Sequence, residues 1–130
     1  MDYTIYQVDA FTNNLFQGNP ACVVSLDKWL EDRILLNIAK ENAVPETAFF
    51  VQNKDGIRLR WFTPDLEMDL CGHATLATAH VLKKHLNHPN KILDFNTLSG
   101  KVSVSIYKDY YFLDFPSRMP LLAALPQNLE

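Results

Sequence analysis

Apolar and polar positions follow different rhythms along this chain, and each change of rhythm marks an element. Residues 3 to 8 are aromatic and β-branched and predict a first strand. Asn13-Asn14 and Gly18-Asn19-Pro20 then break the chain before a short apolar run, residues 21 to 24, that predicts a second strand. Asp27 is placed to cap a helix over residues 29 to 42, in which Leu30, Ile34, Leu35 and Ile38 form one stripe while Glu31, Asp32, Arg33 and Lys40 lie largely off it. Such a helix sits on the surface with one face buried. Residues 47 to 52 and 57 to 62 are β-rich runs on either side of Asn53-Lys54-Asp55-Gly56, and Asp-Gly is a strong hairpin signal. In the second run Ile57, Leu59 and Trp61 alternate with Arg58 and Arg60, which predicts one face in the core and the other in water, and Pro64 ends the strand.

The next helix, residues 72 to 85, breaks the amphipathic pattern. Ala74, Leu76, Ala77, Ala79, Val81 and Leu82 fall on nearly every side at 100° per residue, so this helix must be surrounded by protein. Residues 92 to 97, 102 to 107 and 110 to 115 read as three more strands, the last two joined through a tight Lys108-Asp109 turn. The expected fold class is therefore α+β: a mainly antiparallel sheet curled around a central buried helix, with one additional surface helix. Residues 1–116 form the expected single domain. Residues 117–130, interrupted by Pro120 and Pro126, read as a connector toward a second domain.

At 130 residues the chain is long enough for one core, and its 48% apolar and 21% charged residues are those of a globular protein. A net charge of −3 leaves no basic stripe for phosphates, so nucleic acid is not an expected partner. No apolar run reaches the ~18 residues of a membrane span, and the first residues lack the basic and apolar character of a signal peptide; the expected compartment is the cytoplasm. Cys22 and Cys71 read as reduced thiols, with a single bridge left open, and His73, His80, His85 and His88 show no metal-ligand spacing; the last three belong on and after a helix end.

Chemistry concentrates at a few positions. Glu46 follows Pro45 and precedes Ala48-Phe49-Phe50, an apolar setting that suits a carboxylate taking and returning a proton, although an ordinary exposed or arginine-paired Glu fits the same spacing. Cys71-Gly72-His73 opens the buried helix, where unpaired backbone N–H groups favour an anion. There Gly72 lets a ligand approach the backbone, His73 can hydrogen-bond it or hold a proton, and the helix terminus is expected to lower the pKa of Cys71. A structural histidine at a helix start is the plainer reading of His73. Gly18 permits a tight turn and Asn19 offers a donor and an acceptor to a polar substrate, although Gly-Asn-Pro is also an ordinary turn. Asp9 and Thr12 are weaker candidates, since Asp9 fits equally as a cap or brace for the turn after the first strand. The aromatics Trp61, Phe62, Tyr107, Tyr110, Tyr111, Phe112 and Phe115 are expected in core packing.

Five segments in order, Val8-Asp9-Ala10-Phe11-Thr12, Gly18-Asn19-Pro20-Ala21, Val44-Pro45-Glu46-Thr47-Ala48-Phe49-Phe50, Arg60-Trp61-Phe62-Thr63-Pro64 and Cys71-Gly72-His73-Ala74-Thr75, resemble the phenazine-biosynthesis PhzF-like isomerase family, itself similar to the diaminopimelate epimerases. The resemblance runs over most of residues 3 to 116. It implies a cofactor-independent isomerisation that shifts a proton within a small, cyclic, amino acid-like acid, with Glu46 as acid/base and His73 in the active site. It also implies two domains of like architecture around a cleft, of which this chain supplies one; the aspartate motif and Gly-Ser-Ala-His-like segment of the second do not follow Phe115. The expected partner is therefore a small acidic molecule, together with a second domain or a second copy in a homodimer. Two other readings stand beside this one: an inactive half-domain that binds small acids or dimerises, and a thiol-based epimerase using Cys71, with Cys22 an inert core thiol.

Overall fold

The structure is a computed structural model that describes residues 2–128. Its elements run β1 (Ile5–Ala10), β2 (Asn19–Leu26), α1 (Asp32–Asn42), β3 (Glu46–Asn53), β4 (Gly56–Phe62), β5 (Glu67–Met68), α2 (Gly72–His80) with a π-helical extension (Val81–His85), β6 (Ile92–Thr97), β7 (Gly100–Tyr107) and β8 (Tyr110–Asp114). The strands form one sheet in the order β1-β2-β3-β4-β6-β7-β8, with the two-residue β5 on β4. Antiparallel pairing dominates, as the sequence predicts. The two parallel joins, β2 with β3 and β4 with β6, are those whose connections carry the helices, because a parallel return needs a long crossover.

Strand faces decide what each helix covers. Ala21 and Val23, Ala48 and Phe50, Ile57, Leu59 and Trp61, and Leu93 and Phe95 join Val102, Val104 and Ile106 in one core that encloses Ala74, Ala77, Ala79, Val81 and Leu82 of α2 and its extension. The helix with apolar groups on every side is thus the one the sheet curls around, and the α+β architecture of the sequence analysis holds. On the outer face Val24, Leu26, Phe49, Val51 and Phe62 meet Leu35 and Ala39 of α1. Strands β2 and β3 are buried on both faces, which is why their central residues read as continuous apolar runs.

Several local expectations are corrected. Helix α1 starts at Asp32, not residue 29, and its N-cap is Glu31 without a side-chain cap; Asp27 does not cap it. Its buried line runs through Leu35 and Ala39, while Ile34 is exposed and Trp29 and Leu30 pack beside the outer cluster before the helix begins. The outer face of β4 is not in water beyond Arg58, since α1 and Trp29 cover Arg60 and Phe62. Trp61 and Phe62 are core residues as expected, but Tyr107, Tyr110 and Phe112 are exposed on the edge hairpin; they alternate outward from Ile106, Tyr111 and Leu113. The Lys108-Asp109 turn forms between paired Tyr107 and Tyr110. Residues 117–126 adopt neither helix nor strand, and residues 129–130 of the expected connector lie outside the described residues. Among the described residues no helix is long and apolar enough to cross a membrane.

Candidate active site

Glu46 is the first residue of β3, and alternation puts it on the same face as Ala48 and Phe50, the face that meets α2. Its parallel neighbour is Ala21, also on that face. Asn42 at the end of α1 donates from Nδ2 to Thr47 Oγ1 at 3.1 Å, and Thr47 is fully buried, so the chain entering β3 is held from both sides of Glu46. The first turn of α2 lies opposite. There Cys71 is the N-cap in extended conformation and its carbonyl accepts from Thr75 Oγ1 at 2.6 Å, which fixes the entry into the helix.

This arrangement closes a gap of 25 residues into one cluster. His73 Nε2 lies 3.2 Å from Glu46 Oε2, and His73 Nδ1 lies 3.5 Å from Cys71 Sγ. The side chain of His73 is 9% exposed and that of Glu46 17%, so the pair is mostly shielded from solvent. Glu46 Oε2 and His73 Nε2 are at ion-pair distance, but neither makes an aligned hydrogen bond to a described group. Both atoms retain capacity to bind a ligand.

The expectation of an acidic thiol at Cys71 is overturned. Burial pushes it from 9.0 up to about 11; the backbone N–H groups of Ala74 and His73 pull it down and the nearby Glu46 charge raises it further, but desolvation outweighs the helix terminus. Cys22 is a buried free thiol, also pushed up by burial, as expected of a core residue. Both cysteines are free, as the sequence analysis reads them.

The other predicted residues divide. Asn19 stands two positions before Ala21 on the same face of β2, which sets its backbone roughly 8 Å from that of Glu46. Gly18 has φ +85°, and a Cβ there would collide with the carbonyl oxygen of Ala10, so glycine is required for the turn itself. At Gly72 a Cβ would make only ordinary contacts with Leu113 and Phe115, each at 3.5 Å. Thr12 Oγ1 accepts from the Asn14 backbone N–H at 3.0 Å and braces its turn. Asp9 pairs in register with Pro20 on the edge strand.

One polar cluster was not anticipated. Arg60 donates through Nε and Nη2 to Glu67 at 2.7 Å each and through Nη2 to Asp32 at 3.0 Å, while its guanidinium lies over the rings of Trp29 and Phe62. The signal was Phe62, which breaks the alternation of β4 and requires cover on the outer face. A groove of about 970 Å³ opens along α2 between the edges β1 and β8, lined in part by Asp9, Thr12, Leu76, His80 and Tyr111, but Glu46, Cys71 and His73 are not in its walls.

A protein of Pseudomonas aeruginosa named an uncharacterized isomerase is 52% identical over 129 residues, covering 99% of this chain and 50% of the relative. A solved structure of the phenazine biosynthesis protein PhzF family from Enterococcus faecalis superposes with a TM-score of 0.85 at 47% identity, covering 94% of this chain and 48% of that one. A predicted epimerase from Pseudomonas aeruginosa shares the fold at a TM-score of 0.72 and 22% identity, over 85% of this chain and 41% of its own. The chain spans about half the length of the curated relatives it matches. Residues 8–114 match the phenazine biosynthesis-like protein family, and the chain belongs to that family.

Proposed function

We propose that this chain forms one side of the active-site cleft of an isomerase that moves a proton within a small acid, with Glu46 as the proton carrier. The carrying observation is the Glu46 carboxylate 3.2 Å from His73 Nε2 in the first turn of α2. The backbone N–H groups of the first turn of α2 and its dipole suit a substrate carboxylate, and Asn19 provides an amide within reach of the same space. Glu46 takes a proton from one substrate carbon and returns it to another, so the product has the formula of the substrate and Glu46 ends as it began. His73 orients the carboxylate and stabilises the charge that develops on the substrate. Cys71, held protonated near neutral pH, is a poor base, which favours the carboxylate over the thiol.

The isomerase names of the relatives support the reaction class, and their doubled length supports a second domain or a second copy of the chain as the other wall, with residues 117–130 as the connector. The test is solvent deuterium incorporation into a panel of small cyclic amino and carboxylic acids, read by mass spectrometry alongside light-scattering mass. Carbon-bound deuterium that appears with the native chain and vanishes in Glu46→Gln is the expected result. Equal exchange in Glu46→Gln removes Glu46 from the role. Binding without exchange in either protein makes the chain a small-acid binding module.

A further inference from the structure

We propose that Glu46, Cys71 and His73 form a binding site for a thiophilic divalent cation of the zinc type, and that the bound ion takes the carboxylate out of service. One donor atom from each residue lies within 4.8 Å of the others. The set is a sulfur, an imidazole nitrogen and a carboxylate oxygen, three protein ligands of the kind zinc takes while leaving a fourth position open. With zinc bonds of ~2.3 Å to sulfur and ~2.0 Å to nitrogen, neighbouring tetrahedral ligands stand about 3.5 Å apart. The separation of Cys71 Sγ and His73 Nδ1 is 3.5 Å.

The ligands are also prepared by the fold. Cys71 and His73 share the rigid start of α2, and Glu46 is fixed at the start of β3, so the donors are gathered before any ion arrives. His73 is more than nine-tenths buried with Nε2 unpaired, and Glu46 Oε2 is likewise buried without an aligned partner. A single ion uses one ring nitrogen, so the ligand farthest from it closes by up to about 1.5 Å from its present place, a side-chain rotation. The thiol binds as thiolate and its proton passes to solvent. Three protein ligands leave the fourth position of a tetrahedral ion to water or a substrate oxygen.

The binding claim stands independently of the proton-carrier reading; only its inhibitory consequence rests on it. Purified chain is titrated with Co2+ as a spectroscopic stand-in, following the near-ultraviolet thiolate-to-cobalt band, then competed with Zn2+. The expected result is a saturable band at one ion per chain, removed by Zn2+, absent in Cys71→Ala, unchanged in Cys22→Ala, and shifted at least tenfold to weaker binding in Glu46→Gln and in His73→Gln. Circular dichroism verifies that each variant is folded. As a second readout on the native chain, Zn2+ slows alkylation of Cys71 at least tenfold. No band together with no protection overturns the proposal, as does a band that survives in folded Cys71→Ala. Failure of deuterium exchange with a normal cobalt titration removes the proton-carrier reading and leaves the metal site standing.

Discussion

Two half-buried polar clusters lie on opposite faces of one sheet, and they are built on opposite terms. On the outer face Arg60 is saturated: Glu67 takes its planar fork with two bonds of 2.7 Å, Asp32 takes a third, and Trp29 and Phe62 flank the guanidinium. The Glu67 hydrogen bond raises the Arg60 pKa above its ordinary value despite the cost of burial. On the inner face Glu46 and His73 are equally shielded, with side-chain exposures of 17% and 9% against 18% for Arg60, yet they keep buried atoms without aligned partners. Equal burial thus has two meanings. A satisfied network fastens α1 and β5 to β4, whereas an unsatisfied pair is left ready for something that arrives.

The contrast breaks most sharply at Glu46. Replacing it with Gln should lower proton exchange by about 10²- to 10⁴-fold while changing unfolding free energy by less than about 0.5 kcal/mol, because it keeps the shape and removes only the base. Deuterium exchange and urea melts on the same preparation check both halves. A large loss of stability would instead make Glu46 a structural partner like Glu67.

Cys71 offers the next largest effect. Burial favours its neutral form, so its thiolate appears only as pH climbs toward about 11, and at pH 7 the thiolate fraction should be about 100-fold below that of a thiol at 9.0. Alkylation by iodoacetamide, followed by mass at the Cys71 peptide, should be about 100-fold slower in the native than in the unfolded chain and rise about tenfold per pH unit between pH 8 and 10. A rate that is flat from pH 7 to 9 would show a thiolate already formed and restore the thiol-based reading.

The outer cluster should respond in stability. Arg60→Ala strands two carboxylates and uncovers Trp29 and Phe62, with an expected loss of about 2 kcal/mol by urea unfolding, less than for a fully buried pair because the group is partly solvated. Arg60→Lys keeps the charge but loses the fork and the stacked plane, and the loss should be about 1 kcal/mol. Neither change should alter cobalt binding at the inner cluster, since the sheet separates the two sites; loss of the cobalt band in either variant would show that the clusters are coupled.

Elements with a strong period were legible from residues alone. Apolar groups on nearly every side of residues 72 to 85 identified the enclosed helix, and Asp55-Gly56 and Lys108-Asp109 placed two of the hairpins, because side-chain period and turn chemistry are set by neighbours in the chain. The start of α1 was misplaced for the same reason: Trp29 and Leu30 are apolar for the outer cluster, and their pattern does not reveal that they pack against it before the helix begins. The edge aromatics were overburied because the sequence does not say that β8 ends the sheet.

The chain itself determined which residues could do chemistry: a carboxylate between proline and apolar residues, and a Cys-Gly-His at the mouth of a buried helix. Only the tertiary structure decided that Glu46 and His73 meet at 3.2 Å, that two of the strand joins are parallel, that Arg60 is covered rather than solvated, and that Cys71 keeps its proton. Local rules act over a few residues, whereas desolvation and contact sum over every element that reaches a point in space. At the start of α2 those elements include β3, where Glu46 lies 25 residues back from Cys71, and β8, where Leu113 lies 41 residues on from Gly72, and the competition there between a helix terminus and burial goes to burial.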